Sequence, residues 1–269
     1  MKIHNQPAIT FSVNRYQRNE TKIEKTIDKL ATGLNIRRAS DNASGLAVSE
    51  TLRAQVRGLS QAQRNMQDGL SVLQAANEGL NNVNSLLQRA RELTVMNGND
   101  TLTDSDRQAS QLEFDQLMES INDTANKLEF NTKKILGNNA PLVLLIGANP
   151  GQQISLDLID TSTKALGLDS LNLFNTSTDD LIMKLDDAIT QTTGNLTKVG
   201  SYYEAIEHHM TNSLVKESNL TSSLSKITDT DIAKEMMQFV NLEIRKNSDQ
   251  LLVSKVNQNV ADVLNIISR

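Results

Sequence analysis

Residues 46–93, LAVSETLRAQVRGLSQAQRNMQDGLSVLQAANEGLNNVNSLLQRAREL, place Leu52, Val56, Leu59, Met66, Leu70, Leu73, Ala76, Leu80, Val83, Leu87, Ala90 and Leu93 at steps of three, four or seven residues. That is the period of a helix burying one stripe. Roughly fifty residues at a rise of about 1.5 Å predict a helix of about 75 Å, longer than a globular domain usually holds. Asn97-Gly98-Asn99-Asp100 ends it, since Gly and Asn tolerate the left-handed conformation that stops a helix. Thr103 to Asp106 offer caps for a third helix with Leu112, Leu117, Ile121 and Leu128 on one stripe. A long helix, a turn and a shorter helix predict an antiparallel hairpin.

Upstream, Val13, Tyr16, Ile23, Ile27, Leu30 and Leu34 keep a heptad-like rhythm with Glu20 as its polar interruption. A helix this short is marginal alone in water and needs a partner. Residues 36–45 break the pattern with polar turn formers and Gly45, and Ser40, Asp41 or Asn42 is placed to cap the long helix.

Downstream, the character changes between Gly137 and Leu173. Leu142 to Ile146 is an apolar run, residues 147–152 carry turn formers, and Ile154, Leu156 and Leu158 alternate with Ser155 and Asp157, which predicts a β-hairpin near 142–159. Helical spacing resumes through Leu181, Leu185, Ala188, Leu196, Val199, Tyr203, Ile206, Met210 and Leu214. A last helical region carries Ile232, Met236, Phe239, Val240, Leu252, Val256, Val263 and Ile267, and Asp229-Thr230-Asp231 has the form of its start. The expected fold is mainly α: a long antiparallel helical rod, coiled-coil-like, with a small central β-hairpin region. Its N- and C-terminal helices are paired, because their apolar stripes otherwise lack partners, and both termini sit at one end.

Composition excludes several functions. Of 269 residues, 38% are hydrophobic, 22% charged and 3% aromatic, which leaves few large anchors for a deep core and suits helices packed side by side. A net charge of −5 argues against sequence-independent nucleic-acid binding, which needs a cationic surface. Arg37-Arg38 is accordingly read as structural or subunit-contacting rather than phosphate-binding. Without cysteine, disulfides and thiolate chemistry are excluded. His208 and His209 are adjacent and point about 100° apart on a helix, so they cannot chelate one ion from the same face. No nucleotide-binding, metalloprotease or nucleophile-elbow motif occurs, so neither catalysis nor a cofactor is expected. No stretch reaches the length of a membrane span, and the first residues do not have the form of a cleavable secretory signal. Taken alone, those two facts point to the cytoplasm.

Specific strings point elsewhere. Residues 30–50, LATGLNIRRASDNASGLAVSE, resemble the N-terminal signature of bacterial flagellins, as do RNMQDG at 64–69 and LLQRAREL at 86–93. FNTKKIL at 130–136 resembles the family's entry to its β region, IGAN at 146–149 with QQI at 152–154 its hairpin, and DTDIAKEM at 229–236 its C-terminal signature.

The resemblance implies a secreted, non-enzymatic subunit of the extracellular flagellar filament that supports motility and is exported unfolded without a cleavable signal. It implies an inner layer from residues 1–40 and 226–269 around a rod domain, 41–225, in a minimal form whose outer insert is about forty residues. Subunit packing is then expected at Ile23, Ile27, Leu30, Met236, Phe239, Val256, Val263 and Ile267. Implied partners are copies of the chain, an export chaperone on the C-terminal helix, and junction and cap proteins. The Toll-like flagellin receptor is a further implied partner, at Gln88, Arg89, Leu93 and Glu113. Two stretches depart from the family pattern. The start reads His4-Asn5-Gln6-Pro7, and the last helix carries Arg245, Lys246, Asp249 and Lys255 where relatives are rich in small polar residues. Those charges must be paired or face a hydrated lumen, since an unpaired buried charge is strongly destabilising. The alternatives are a hook–filament junction protein, a minor flagellin paralogue, or an enzyme or binding module inserted between the halves, which the short insert disfavours.

Overall fold

A computed structural model describes the backbone of residues 6–267 except 139, 158, 170 and 175, and side chains from 10 to 262 apart from those four and residue 260. Among the described residues, five helices, α1 (Gln6–Thr32), α2 (Ala43–Asn97), α3 (Asp104–Lys127), α4 (Thr178–Thr228) and α5 (Ile232–Ile267), carry most of the chain. Between α3 and α4 the described residues form two small antiparallel hairpins: β1 (Glu129–Phe130) with β2 (Lys133–Lys134), and β3 (Leu142–Leu145) with β4 (Gln153–Leu156). The chain divides into two units. One comprises Met1–Ala54 and Leu220–Arg269, the other Gln55–Asn219.

In the second unit α2, α3 and α4 pack around two apolar clusters. Val83, Leu87, Ala90 and Leu93 of α2 meet Phe114 and Ile121 of α3, Leu181, Leu185 and Ala188 of α4, and Leu166, Leu168, Leu171 and Leu173 of the preceding loop. Further along, Met66, Leu73, Ala76 and Leu80 meet Ile135, Leu136, Leu144, Leu156, Val199 and Ile206. The α2 stripe expected from 3.6-residue periodicity is therefore the core side of the unit. Two stripe assignments fail at their ends. Leu112 is 69% exposed because α3 turns Ser110, Phe114, Ile121 and Ala125 inward, and Leu214 is 52% exposed beside the buried Ser213. Apolarity alone misplaces the stripe wherever a small polar residue occupies the inner position.

The β3–β4 hairpin falls where alternation predicts it, with Leu142, Leu144, Ile154 and Leu156 on the inner face; Leu158 lies outside the described residues. It seats on α2 because α2 offers glycines. A Cβ on Gly69 would stand 2.5 Å from Leu144 Cδ1, and one on Gly58 2.7 Å from Ala148 Cβ. The β1–β2 hairpin was not expected, since two-residue strands carry no readable alternation. Its turn places Asn131 at φ 49° and Thr132 at φ 66°, the left-handed pair of a type I′ turn.

Caps fix the helix ends. Asn42 begins α2, its Oδ1 accepting from Gly45 N–H at 2.9 Å. Thr103 begins α3 in a capping box with Asp106, and the Thr103 hydroxyl and N–H lower the Asp106 pKa from its ordinary value. α2 stops at Asn97, but Gly98 is not left-handed; it is small because Thr178 crowds it, 3.0 Å from where a Cβ would stand.

Candidate subunit-contact surface of the terminal helices

The first unit is built on α1 and α5, which run antiparallel. Their entry is set by two short crossings. Gly33, at φ 70°, closes α1 by donating to Lys29 O at 2.8 Å, and frees Leu34 to bridge Asp229. Asn35 N–H donates to Thr228 O at 2.7 Å and Thr230 N–H to Gly33 O at 2.8 Å. Asp231 then caps α5, its Oδ1 accepting from Lys234 N–H at 3.1 Å. Arg37 reaches back to Asp28 at 2.8 Å. The N–H groups of Arg38 and Arg37 hold the Asp41 carboxyl below its usual range.

Along the interface the inward positions of α1 are Tyr16, Asn19, Ile23, Thr26 and Leu30, and those of α5 are Glu235, Phe239, Leu242, Lys246, Asp249, Val253 and Val256. Both sets step by four and three, a heptad seam. Ile23, Leu30, Phe239 and Val256 thus lie in the seam. Ile27 and Met236 do not: each sits one position off it, 48% and 47% exposed. The side chains of Val263 and Ile267 lie outside the described residues. Glu20 is not an interruption of the seam but its flank; the polar seam members are Asn19 and Thr26, 9% and 2% exposed.

The unusual charges of α5 are partly explained by this seam. Asp249, fully buried, accepts from Arg15 and, at 2.8 Å, from Asn19 Nδ2. Lys246 donates to Glu20 at 3.2 Å and sits 5.4 Å from the Tyr16 ring centroid; the Glu20 carboxylate raises its pKa above the ordinary lysine value. Arg245 and Lys255 are exposed. Two of the four charges are therefore paired across the helices, as burial requires.

A second apolar stripe runs on the opposite side of α5. Met237, Val240, Ile244 and Leu251 are 64%, 47%, 59% and 71% exposed. Ile244 is two positions from Leu242, about 200° around the helix. Sequence reasoning missed this stripe, which shows only once the inner seam is known.

The remaining named residues lie in the second unit. Arg89 binds Glu113 at 2.8 Å and Glu92 at 3.1 Å; hydrogen bonding first to Glu113 and then to Glu92 raises its pKa. Gln88 is exposed beside them, while Leu93 is 1% exposed in the core and offers no side chain to a partner. Among the described residues no cluster of three metal-ligating side chains occurs, and no helix is long and apolar enough to cross a membrane.

A paired-helix unit with a second apolar stripe facing outward defines the class: a structural subunit made to pack against other chains. The model of the bacterial flagellin N-terminal helical region matches residues 4–140, and that of the C-terminal helical region matches 182–267. The chain is 37% identical to a flagellin of Halalkalibacterium halodurans over 98% of both sequences, and 34% identical to a flagellin of Bacillus subtilis over 99% of this chain and all of that one. A crystal structure of Bacillus cereus flagellin, 28% identical, aligns with a TM-score of 0.51 over 56% of this chain and 88% of its own. The chain belongs to the bacterial flagellin family, in a short form without a large outer domain. It is a structural subunit of the flagellar filament, and the full-length flagellin matches favour this over the junction-protein alternative.

Proposed function

We propose that the chain polymerises through its terminal helices, with residues 1–40 and 226–269 forming the inner layer of the filament and 41–225 its rod domain. The observation that carries this is the double-sided apolarity of α5. Its inner seam is used by α1, yet Met237, Val240, Ile244 and Leu251 stand in water. Burying each would contribute about 1.5–3 kcal/mol, so a helix apolar on both sides belongs inside an assembly. Ile27 and Met236 extend the contact onto an adjoining face, while Ile23, Leu30, Phe239 and Val256 hold the pair that presents it. Val263 and Ile267 continue the same four-three spacing.

The family supports secretion into an extracellular filament, and the reading extends to export of an unfolded chain, an export chaperone that covers the apolar α5, and junction and cap proteins at the filament's ends. Recognition by the Toll-like flagellin receptor would use the exposed Gln88, Arg89 and Glu113, with Leu93 fixing the helix beneath them. Motility follows from the filament. Ile27→Asp tests the assembly reading: seeded growth is expected to stop while residues 55–219 keep their helical signal and melting behaviour. Filaments of normal length from that variant would contradict it.

A further inference from the structure

The two flanks of the α1–α5 pair carry opposite charge. Residues one position before and one after a seam residue sit about 100° to either side of it. In an antiparallel pair the two "before" flanks share one face and the two "after" flanks share the other. The "before" face is a groove of about 680 Å³ lined by Lys22, Lys25, Lys29, Lys234 and Arg245, with Glu235 its single carboxylate. Met237 and Leu242 add apolar surface to it. Lys29 donates to Asn35, but none of the other four cations is held in an ion pair. The "after" face carries Glu24 and Glu243, with Glu20 already held by Lys246, beside the exposed Ile27, Met236 and Val240, and no lysine or arginine occupies its flank positions.

We infer that the occupant of the basic groove is the acidic, apolar face of a second copy of this chain. Glu24 and Glu243 of one copy meet the groove cations of the next, and the apolar side chains beside them meet Met237. The inference rests on the polymerisation reading and adds a direction to it. Because the two faces differ, the contact is front to back: it cannot close into a two-fold dimer and adds copies in series, as a filament requires. Charge complementarity fixes which face meets which, and like-charged meetings are penalised.

A charge swap tests this. Lys22→Glu/Lys25→Glu/Arg245→Glu makes both faces acidic, and Glu24→Lys/Glu243→Lys makes both basic; circular dichroism and amide exchange of α1 and α5 verify that the pair still forms in each. Seeded elongation is followed by electron microscopy for wild type, each variant alone, and an equal mixture. Each variant alone is expected to elongate at least about tenfold more slowly than wild type, and the mixture to recover most of the wild-type rate by alternating the two. Normal growth of either variant alone, or a mixture as inert as its components, would overturn the front-to-back contact while leaving polymerisation intact. Wild type that fails to elongate in the same buffer would instead remove the polymerisation reading, and this inference with it.

Discussion

Replacing Asp249 by alanine should loosen the terminal helix pair by about 2–3 kcal/mol. The aspartate side chain is fully buried, so its two acceptor contacts form away from water. Its partners differ in what they lose. The Arg15 side chain is 47% exposed and can turn into solvent, whereas Asn19 is 9% exposed and its amide would be left without an acceptor. An orphaned buried donor costs about 1–3 kcal/mol and breaking a buried pair about 3–5 kcal/mol; Arg15's escape to water puts the sum between them. Amide exchange of α1 and α5 reads the loss directly, as protection factors lower by about 30–150-fold at 1.4 kcal/mol per decade. Substituting Arg15, Asn19 and Asp249 together by leucine should restore protection, because an apolar replacement leaves no group unsatisfied. Unchanged protection in Asp249→Ala would refute the claim that this cluster holds the pair.

Thr132→Gly should stabilise the second unit by about 0.5–1 kcal/mol in urea denaturation, since a β-branched residue at φ 66° pays a left-handed penalty that exceeds glycine's entropy cost. Gly58→Ala should destabilise by about 1–3 kcal/mol, because the added methyl would sit 3.2 Å from the Ala148 backbone and lift the β3–β4 hairpin from α2; a lowered urea midpoint checks it. Phe114→Ala, at a fully buried site in the first cluster, should cost about 3–5 kcal/mol in the same assay. The α3 cap gives a pH dependence. Asp106 has a lowered folded pKa, so its contribution is complete above about pH 4 and is lost as pH falls through the folded value. The difference in urea midpoint between wild type and Asp106→Asn should therefore shrink from pH 6 to pH 2.

Much of this was legible in the sequence, and the gaps have physical causes. The α2 stripe, the Asn42 and Thr103 caps, the Asp229–Asp231 break and the β3–β4 alternation are local patterns, and each falls where its period or cap chemistry places it. The α1 seam was half legible: Tyr16, Ile23 and Leu30 are inward, but an apolar search passes over Asn19 and Thr26 and substitutes Val13 and Ile27, which flank the seam. Arg15 and Asp249 are 234 residues apart and no local rule joins them, so the sequence showed only that the α5 charges needed partners. The outward stripe of α5 was hidden for the opposite reason. Apolar residues all round a helix blur its period, and the two stripes separate only when the partner helix marks which one is already used.

The central claim, that the chain is a filament subunit polymerising through its terminal helices, is tested most directly by adding short filament seeds and salt to purified monomer and imaging the product by negative-stain electron microscopy. Long, uniform filaments from wild type, with no growth from Ile244→Asp despite a folded second unit, are the expected result. Monomers that persist beside intact seeds, or filaments that grow equally well with aspartate at position 244, would contradict it.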